Sequence, residues 1–131
     1  MTLVALALAA AAATTPAPEH AVRVYYFYTT QRCASCRKIE AWTDEAVHAA
    51  WPEAVDSSAI EWVPLNLDEP ANRHFVSDYR LFTKSVVVVE LRNGEQVRWK
   101  NLPRIWELLM DRDAFRRYVR REVAAYLEAE P

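Results

Sequence analysis

Glycine is almost absent from this 131-residue chain, in which Gly94 is the only one, whereas an average usage of about 7% would supply roughly nine. The sequence therefore contains no G-x-G-x-x-G or G-x-x-x-x-G-K-[ST] phosphate loop and no G-x-S-x-G nucleophile elbow. Each of these motifs needs glycine where the backbone approaches a phosphate or turns sharply below a serine. Their absence excludes these nucleotide-binding sites and serine hydrolases of that type.

Neither sign of charge is in large excess. The chain has 16 Lys and Arg against 18 Asp and Glu, a net charge of −2 and an isoelectric point near 5.9. A chain of this charge is not attracted as a whole to nucleic acid, so no nucleic-acid partner is predicted. Apolar residues make up 52%, which excludes a disordered chain, and the length fits one domain with a small core.

Charged side chains are also missing from the first 18 residues, which contain an unbroken apolar run over residues 3–13. This run is too short to span a bilayer, which needs about 20 residues, and has the length of a signal-peptide core. Ala11, Ala12 and Ala13 offer a small-residue cleavage site, although the two residues before the run carry no Lys or Arg. The alternative is an alanine-rich N-terminal helix.

We therefore expect residues 1–19 to form a signal peptide or N-terminal apolar segment with a short linker. Residues 20–131 then form the folded domain. The expected location is periplasmic or otherwise extracytoplasmic, and membrane contact would involve only the N-terminal segment, if it is not cleaved.

The rest of the sequence alternates between strand and helix patterns. Dense β-branched and aromatic runs predict strands, helical spacing of apolar residues predicts helices, and Pro52, Pro70 and Pro103 mark helix boundaries. The predicted strands are 20–28, 59–67, 85–91 and 96–99, and the predicted helices are 33–51, one starting at 68–70, and 103–128 with a break near 111–113. The order is β-α-β-α-β-β-α.

This order predicts an α/β fold with a mixed sheet. The first β-α-β crossover makes two strands parallel. Asn93-Gly94 between the last two strands is the signal of a type I′ hairpin, which adds an antiparallel edge. Helices are expected on both faces of the sheet.

The strongest chemical signal is the pair Cys33 and Cys36, three residues apart where a predicted strand is followed by a helix. The free N–H groups of a helix start favour a thiolate at Cys33, and Arg32, Arg37 and Lys38 place three cations within reach. Cys33 is therefore the candidate attacking thiolate and Cys36 the candidate resolving thiol. The simpler alternative is a plain disulfide or two buried thiols.

Two further classes of function remain open. Two thiolates also suit soft ions such as Cu(I), Zn(II) or trivalent arsenic, so a metal or metalloid binding module is the alternative reading. A four-ligand zinc site needs two more donors, and His20, His48 and His74 are not expected to supply them, so no metal ligand is assigned. The third class is an interaction subunit whose disulfide stabilises a docking surface.

A strand, a C-x-x-C motif at a helix start, a strand, a helix, an Asn-Gly hairpin and a final helix together resemble the thioredoxin superfamily. More closely, residues 26–40 (YFYTTQRCASCRKIE) and 67–72 (LDEPAN) resemble small thioredoxin-like proteins described as a nitrophenyl-compound nitroreductase subunit and associated with arsenic-resistance gene clusters. This resemblance implies a thioredoxin-like fold and a thiol–disulfide oxidoreductase with Cys33 and Cys36 as its redox pair. The implied partner is a protein disulfide or dithiol, or a reductase subunit, with no cofactor besides the redox-active disulfide.

The sequence departs from the thioredoxin pattern around the motif. Arg32 stands where thioredoxins have Trp, and Ala34-Ser35 replaces Gly-Pro. Phe27 stands where thioredoxins have a buried Asp. These differences make thioredoxin-like reduction of general protein substrates doubtful.

The cis-proline that faces the dithiol in thioredoxins is also missing, because no proline lies between Ala71 and Leu102. We expect Ser85 or Val86 to face the dithiol instead, in a trans loop over residues 83–86, since a non-proline cis bond costs about 2.5–4 kcal/mol. The Ser85 hydroxyl is then expected to donate a hydrogen bond toward the Cys33 thiolate.

Overall fold

The computed structural model describes residues 18–129, and a four-stranded mixed sheet forms their centre. The order across the sheet is β2-β1-β3-β4, with β1 parallel to β2 and antiparallel to β3, and β3 antiparallel to β4. This confirms the predicted parallel crossover and antiparallel edge. The strands are β1 His20–Tyr28, β2 Ile60–Asn66, β3 Ser85–Arg92 and β4 Glu95–Asn101.

Within residues 18–129, four α-helices and two 3₁₀ segments flank the strands, and the last helix and the last 3₁₀ segment follow the final strand. The helices are α1 Ala34–Ala50, α2 Pro52–Asp56, α3 His74–Asp78 and α4 Arg112–Leu127, and the 3₁₀ segments are Pro70–Asn72 and Pro103–Leu108. The sequence pattern takes Pro52 as the end of a helix. The structure adds that Pro52 also opens α2, because a proline at the first helical position has no N–H to leave unpaired.

Both faces of the sheet are covered, which explains why β1 reads as a nearly continuous apolar run. On one face, Val24 and Tyr26 of β1 pack with Ile39 of α1 and Phe115 of α4. On the opposite face, Tyr25 and Phe27 pack with Val87 of β3 and with side chains from α3 and the loop after it. The predicted α/β arrangement of a mixed sheet flanked by helices is confirmed.

The β3–β4 hairpin turns at Asn93 and Gly94, whose φ angles are +52° and +81°. Positive φ at both central residues is the requirement of a type I′ turn, and Asn-Gly is the pair that meets it most easily. The only glycine of the chain therefore stands where its conformational freedom is used.

The predicted N-terminal apolar segment lies outside the described residues, which begin at Pro18. Within residues 18–129, none of the helices combines the length and the apolar character that a membrane crossing requires.

Glu90 of β3 is a buried carboxylate surrounded by cations. Arg98 Nε and Nη2 donate to Glu90 Oε2 over 3.1 and 2.8 Å, Arg92 Nε lies 3.4 Å from Oε1, and His20 Nε2 lies 3.9 Å from Oε2. Burial by itself raises the pKa of Glu90, but the hydrogen bonds and charge of Arg98, with the charges of Arg92 and His20, outweigh it and hold the pKa below its ordinary value.

We expect Glu90→Gln to lower the free energy of unfolding at pH 7 by about 1–3 kcal/mol, because the cations lose a charged acceptor. Since the folded pKa of Glu90 is lowered, its contribution is complete above the ordinary glutamate value of about 4.3 and is lost as the pH falls through the folded pKa. Urea unfolding between pH 7 and pH 3 measures this. The difference between wild type and Glu90→Gln should shrink below about pH 4.

Glu95→Gln is the matched control, because Glu95 is exposed beside the hairpin turn. Its free energy of unfolding should stay close to that of the wild type at every pH. A deficit in Glu90→Gln that is the same at pH 7 and pH 3 would contradict the ionic role assigned to Glu90.

Candidate functional site

Cys33 and Cys36 are joined in a disulfide with their Cα atoms 5.1 Å apart. Cys33 is the N-cap residue of α1, with extended backbone angles (φ −109°, ψ 169°), and its side chain is exposed. Cys36 lies one turn into the helix, on the side that packs against the sheet, and is fully buried. Only one of the two sulfurs is therefore open to a reactant from outside.

The Cys33 sulfur caps the helix. Its Sγ accepts a hydrogen bond from the backbone N–H of Cys36 over 3.3 Å, and α1 continues for 17 residues behind it. The first N–H groups of a helix have no partner within the helix and carry partial positive charge. After reduction, a thiolate at Cys33 would be stabilised by the same groups.

Tyr26 lies near the end of β1 and contacts the first turn of α1. Its hydroxyl donates to the backbone carbonyl of Cys36 over 3.0 Å and its side chain is fully buried. Burial raises the pKa of Tyr26 to about 12, so the hydroxyl keeps its proton at neutral pH and remains a donor. This bond ties the first turn of α1 to the sheet.

A cavity of about 450 Å³ opens beside both sulfurs. Several apolar side chains that line it are exposed to solvent, above all Phe82, which is 94% exposed. Its polar lining includes the side chains of Asp68 and Lys84. The residues that line the cavity with the two cysteines are Thr29, Leu67, Asp68, Val76, Leu81, Phe82, Thr83, Lys84 and Trp106.

Lys84 is a site residue that the sequence analysis missed. Its ammonium donates to the backbone carbonyl of Gln31 over 3.1 Å, two residues before Cys33, and its own carbonyl accepts from Trp106 Nε1 over 3.2 Å. Lys84 thus joins the loop before β3 to the loop before the dithiol. β3 begins antiparallel to the end of β1, so the residue before Ser85 lies near the dithiol loop, and the local sequence pattern does not specify this pairing.

Ser85 and Val86, which are predicted to face the dithiol, begin β3 and pair with Phe27 and Tyr26. The Ser85 hydroxyl donates to the carbonyl of Thr83 over 2.8 Å, and not toward Cys33 as expected. Thr83 and Lys84, which come just before the strand, line the cavity together with both cysteines.

The loop before β3 has the trans peptide bonds that were expected for residues 83–86. Every peptide bond within residues 18–129 is trans, including those of residues 83–86.

The three cations predicted near Cys33 have different surroundings from those expected. Arg32 pairs with Glu40, and its guanidinium carbon lies 4.3 Å from the centre of the Tyr28 ring. Lys38 Nζ donates to the carbonyl of Leu109 over 3.4 Å. Arg37 is exposed on the surface of α1. Two of the three cations are therefore held by other groups, whereas the Cys33 sulfur accepts a hydrogen bond from the first turn of α1.

No third metal-ligating side chain joins the dithiol. Residues 18–129 contain no group of three or more His, Cys, Asp and Glu side chains placed to hold one ion. His48 pairs with Asp44 and His74 with Asp78, both at helical i, i+4 spacing, while His20 lies near Glu90. An ion at the dithiol would have two sulfur donors from this part of the chain.

Neither a protein-family model nor a curated protein matches the sequence. Among solved structures, the chain is similar to a thioredoxin variant from Halobacterium salinarum, with 22% identity, a TM-score of 0.44, and 84% of this chain and 78% of that chain covered. It is also similar to thioredoxins from Fasciola hepatica (21% identity, TM-score 0.42, 75% and 81% covered) and Trypanosoma brucei brucei (18%, 0.43, 79% and 75%).

We expect the Cys33 thiol, measured in the Cys36→Ser variant, to have a pKa well below the free value of about 8.5. The backbone N–H of residue 36 that reaches Sγ is retained in this variant. Alkylation rates as a function of pH give the pKa. A midpoint at or above the free value would show that the helix start does not stabilise the thiolate.

We expect Lys84→Gln to raise the pKa of Cys33 by a few tenths, because a cation on the wall of the same cavity is removed. The comparison is made in the Cys36→Ser background. Lys100→Gln is the control, since the Lys100 ammonium pairs with Glu122 on α4, 2.9 Å away. Equal Cys33 pKa values in the two lysine variants would show that Lys84 does not stabilise the thiolate.

Proposed function

We propose that this protein is a thiol–disulfide oxidoreductase that exchanges electrons with a protein partner through Cys33 and Cys36. The observation that carries the proposal is the contrast between the two sulfurs. The Cys33 sulfur is exposed and caps a helix, while Cys36 is buried within bonding distance of it. This is the arrangement that a two-step exchange requires.

In the reducing direction, the Cys33 thiolate attacks one sulfur of a partner disulfide. An S–S bond forms between Cys33 and the partner, and the other partner sulfur leaves as a thiolate. Cys36, after losing its proton, attacks the Cys33 sulfur, and the second partner sulfur leaves. The partner disulfide has gained two electrons, and Cys33 and Cys36 have lost them as their own disulfide forms. In the oxidising direction the same steps run in reverse.

The surface around Cys33 supports a protein as the partner. Val76, Phe82 and Trp106 line the cavity beside the sulfurs and expose apolar area. Exposed apolar area at a reactive centre is typical of surfaces that contact other proteins. We infer that a partner segment carrying a cysteine or disulfide lies against these side chains during exchange.

The direction of exchange follows from the reduction potential of the dithiol. A value near about −270 mV would indicate a reductant, and a value near about −120 mV an oxidant. The apolar run at residues 3–13 supports the proposal that the protein acts in the periplasm or another extracytoplasmic compartment.

A narrower hypothesis rests on the sequence resemblance at residues 26–40 and 67–72 alone. On this hypothesis the protein is the redox subunit of a nitrophenyl-compound reductase system, and its dithiol transfers electrons to or from a reductase subunit. The identity of a disulfide-trapped partner decides it. A trapped partner that does not reduce nitrophenyl compounds would contradict the narrower hypothesis and leave the general one standing.

We expect reduced wild-type protein mixed with oxidised glutathione to end as the Cys33–Cys36 disulfide without bound glutathione. Under the same conditions Cys36→Ser should accumulate a stable adduct with one glutathione, because only the resolving step is lost. Cys33→Ser should react much more slowly, because its remaining thiol is buried. Intact-protein mass spectrometry over time distinguishes these products.

Equal rates of adduct formation by Cys33→Ser and Cys36→Ser would contradict the assigned roles. An ion-binding module would instead lose its ion equally with either substitution. The same Cys36→Ser protein, used as bait, then identifies the partner as a mixed disulfide that a reductant releases.

A further inference from the structure

An ion pair lies along α1 directly behind the dithiol. Arg32, the residue before Cys33, contacts the carboxylate of Glu40 through its Nη2 atom. The side chains are 25% and 30% exposed, so the pair is largely shielded from solvent. The guanidinium also stacks over the ring of Tyr28, 4.3 Å from its centre.

The position of Glu40 on the helix determines where the Arg32 charge lies. Glu40 follows Cys33 by seven residues and Cys36 by four, so it lies on the same face of α1, about 10 Å along the axis from Cys33 at 1.5 Å per residue. A guanidinium bonded to Glu40 is therefore displaced along the helix axis, away from the Cys33 sulfur and toward the middle of α1. Without this bond, the side chain next to Cys33 would be free to approach the sulfur.

The contacts of Arg32 also show what holds it. Within the described part of the chain, its buried Nε has no hydrogen-bond partner, so Glu40 and the Tyr28 ring are the groups that fix the guanidinium. Tyr26, whose hydroxyl bonds to the Cys36 carbonyl, feels the charges of both Arg32 and Glu40. The pair is thus electrostatically coupled to the first turn of α1.

We propose that Glu40 is a positioning residue that holds and neutralises Arg32, and thereby limits how strongly the Cys33 thiolate is stabilised. The proposal adds to the proposed function. It rests on that function only for the shift of the dithiol–disulfide equilibrium, and not for the pKa of Cys33. The other charged groups near Cys33 are Asp68 and Lys84 across the cavity, and Arg37 and Lys38 on α1. None of them contacts the Arg32–Glu40 pair.

Removing the charge of Glu40 and removing the charge of Arg32 should shift the pKa of Cys33 in opposite directions. Glu40→Gln leaves an uncompensated positive charge beside Cys33, which should lower the pKa of its thiol. Arg32→Gln leaves an uncompensated negative charge, which should raise it. A unit charge about 10 Å away changes a pKa by about 0.3 to 1.2, or about 2- to 16-fold in the ionisation constant, for effective dielectric constants from 80 to 20. The double variant should return close to the parent value.

The experiment measures alkylation of Cys33 against pH in the Cys36→Ser background for both single variants and the double variant. A second measurement uses the intact dithiol and its equilibrium with glutathione. Because a more stable thiolate favours the reduced form, Glu40→Gln should shift this equilibrium toward the reduced protein and Arg32→Gln toward the disulfide.

Glu45→Gln is the matched control. Glu45 lies on the same helix and makes the same kind of pair, with Arg112 over 2.6 Å, but it is 12 residues beyond Cys33 and points to another face. It should shift both measurements by clearly less than Glu40→Gln, because its charge lies about 18 Å along the helix axis from Cys33 and is screened more strongly by salt. If the Arg32–Glu40 pair had only a structural role, the Glu40 and Arg32 variants would shift the pKa of Cys33 in the same direction.

Shifts of the same sign, or shifts no larger than that of Glu45→Gln, would overturn the proposal. Alkylation needs only the Cys33 thiol, so its result does not depend on whether the protein exchanges disulfides. Opposite pKa shifts together with equal reactivity of the two cysteine variants would mean that the coupling is right and the proposed function is wrong.

Discussion

The hydrogen bond from the backbone N–H of Cys36 to the sulfur of Cys33 is the interaction on which the site depends. It exists because Cys33 ends the extended segment after β1 and begins α1, so one residue is both the helix cap and the exposed thiol. The helix can present its first turn there because Ile39 and Val47 bury its other side against the sheet. Packing of the helix thus fixes a position where negative charge on sulfur is stabilised.

The same position makes the two sulfurs unequal. A cap residue lies outside the helix and meets solvent, whereas a residue one turn later faces the core, so the Cys33 sulfur is exposed and the Cys36 sulfur is buried. The surrounding cavity is assembled from separate parts of the chain: the end of β1, the end of β2, the loop before β3 and the 3₁₀ segment after β4. Its shape therefore depends on the whole sheet.

Two groups of charges are placed at opposite ends of β1. His20 at its start lies near the Glu90 cluster, and Tyr28 at its end stacks against Arg32 beside the dithiol. His20 and Tyr28 are eight residues apart along the strand, or about 26 Å, which is well beyond the screening length of about 8 Å at physiological salt. Protonation of Glu90 at low pH should therefore affect folding without altering the dithiol directly.

Short-range patterns in the sequence determined much of this protein. The apolar run of β1, the Asn93-Gly94 turn and a cysteine at a helix start depend on neighbours within a few residues, and all three are as predicted. Only the tertiary structure decided which residues line the cavity beside the dithiol and where the Arg32 charge lies. Thr83 and Lys84 line this cavity because β3 pairs with the end of β1 from Ser85 onward, which brings the preceding loop close to the dithiol. Arg32 contacts Glu40 of α1 and the ring of Tyr28 of β1, and such contacts follow from the docking of the helix on the sheet, which local spacing does not specify.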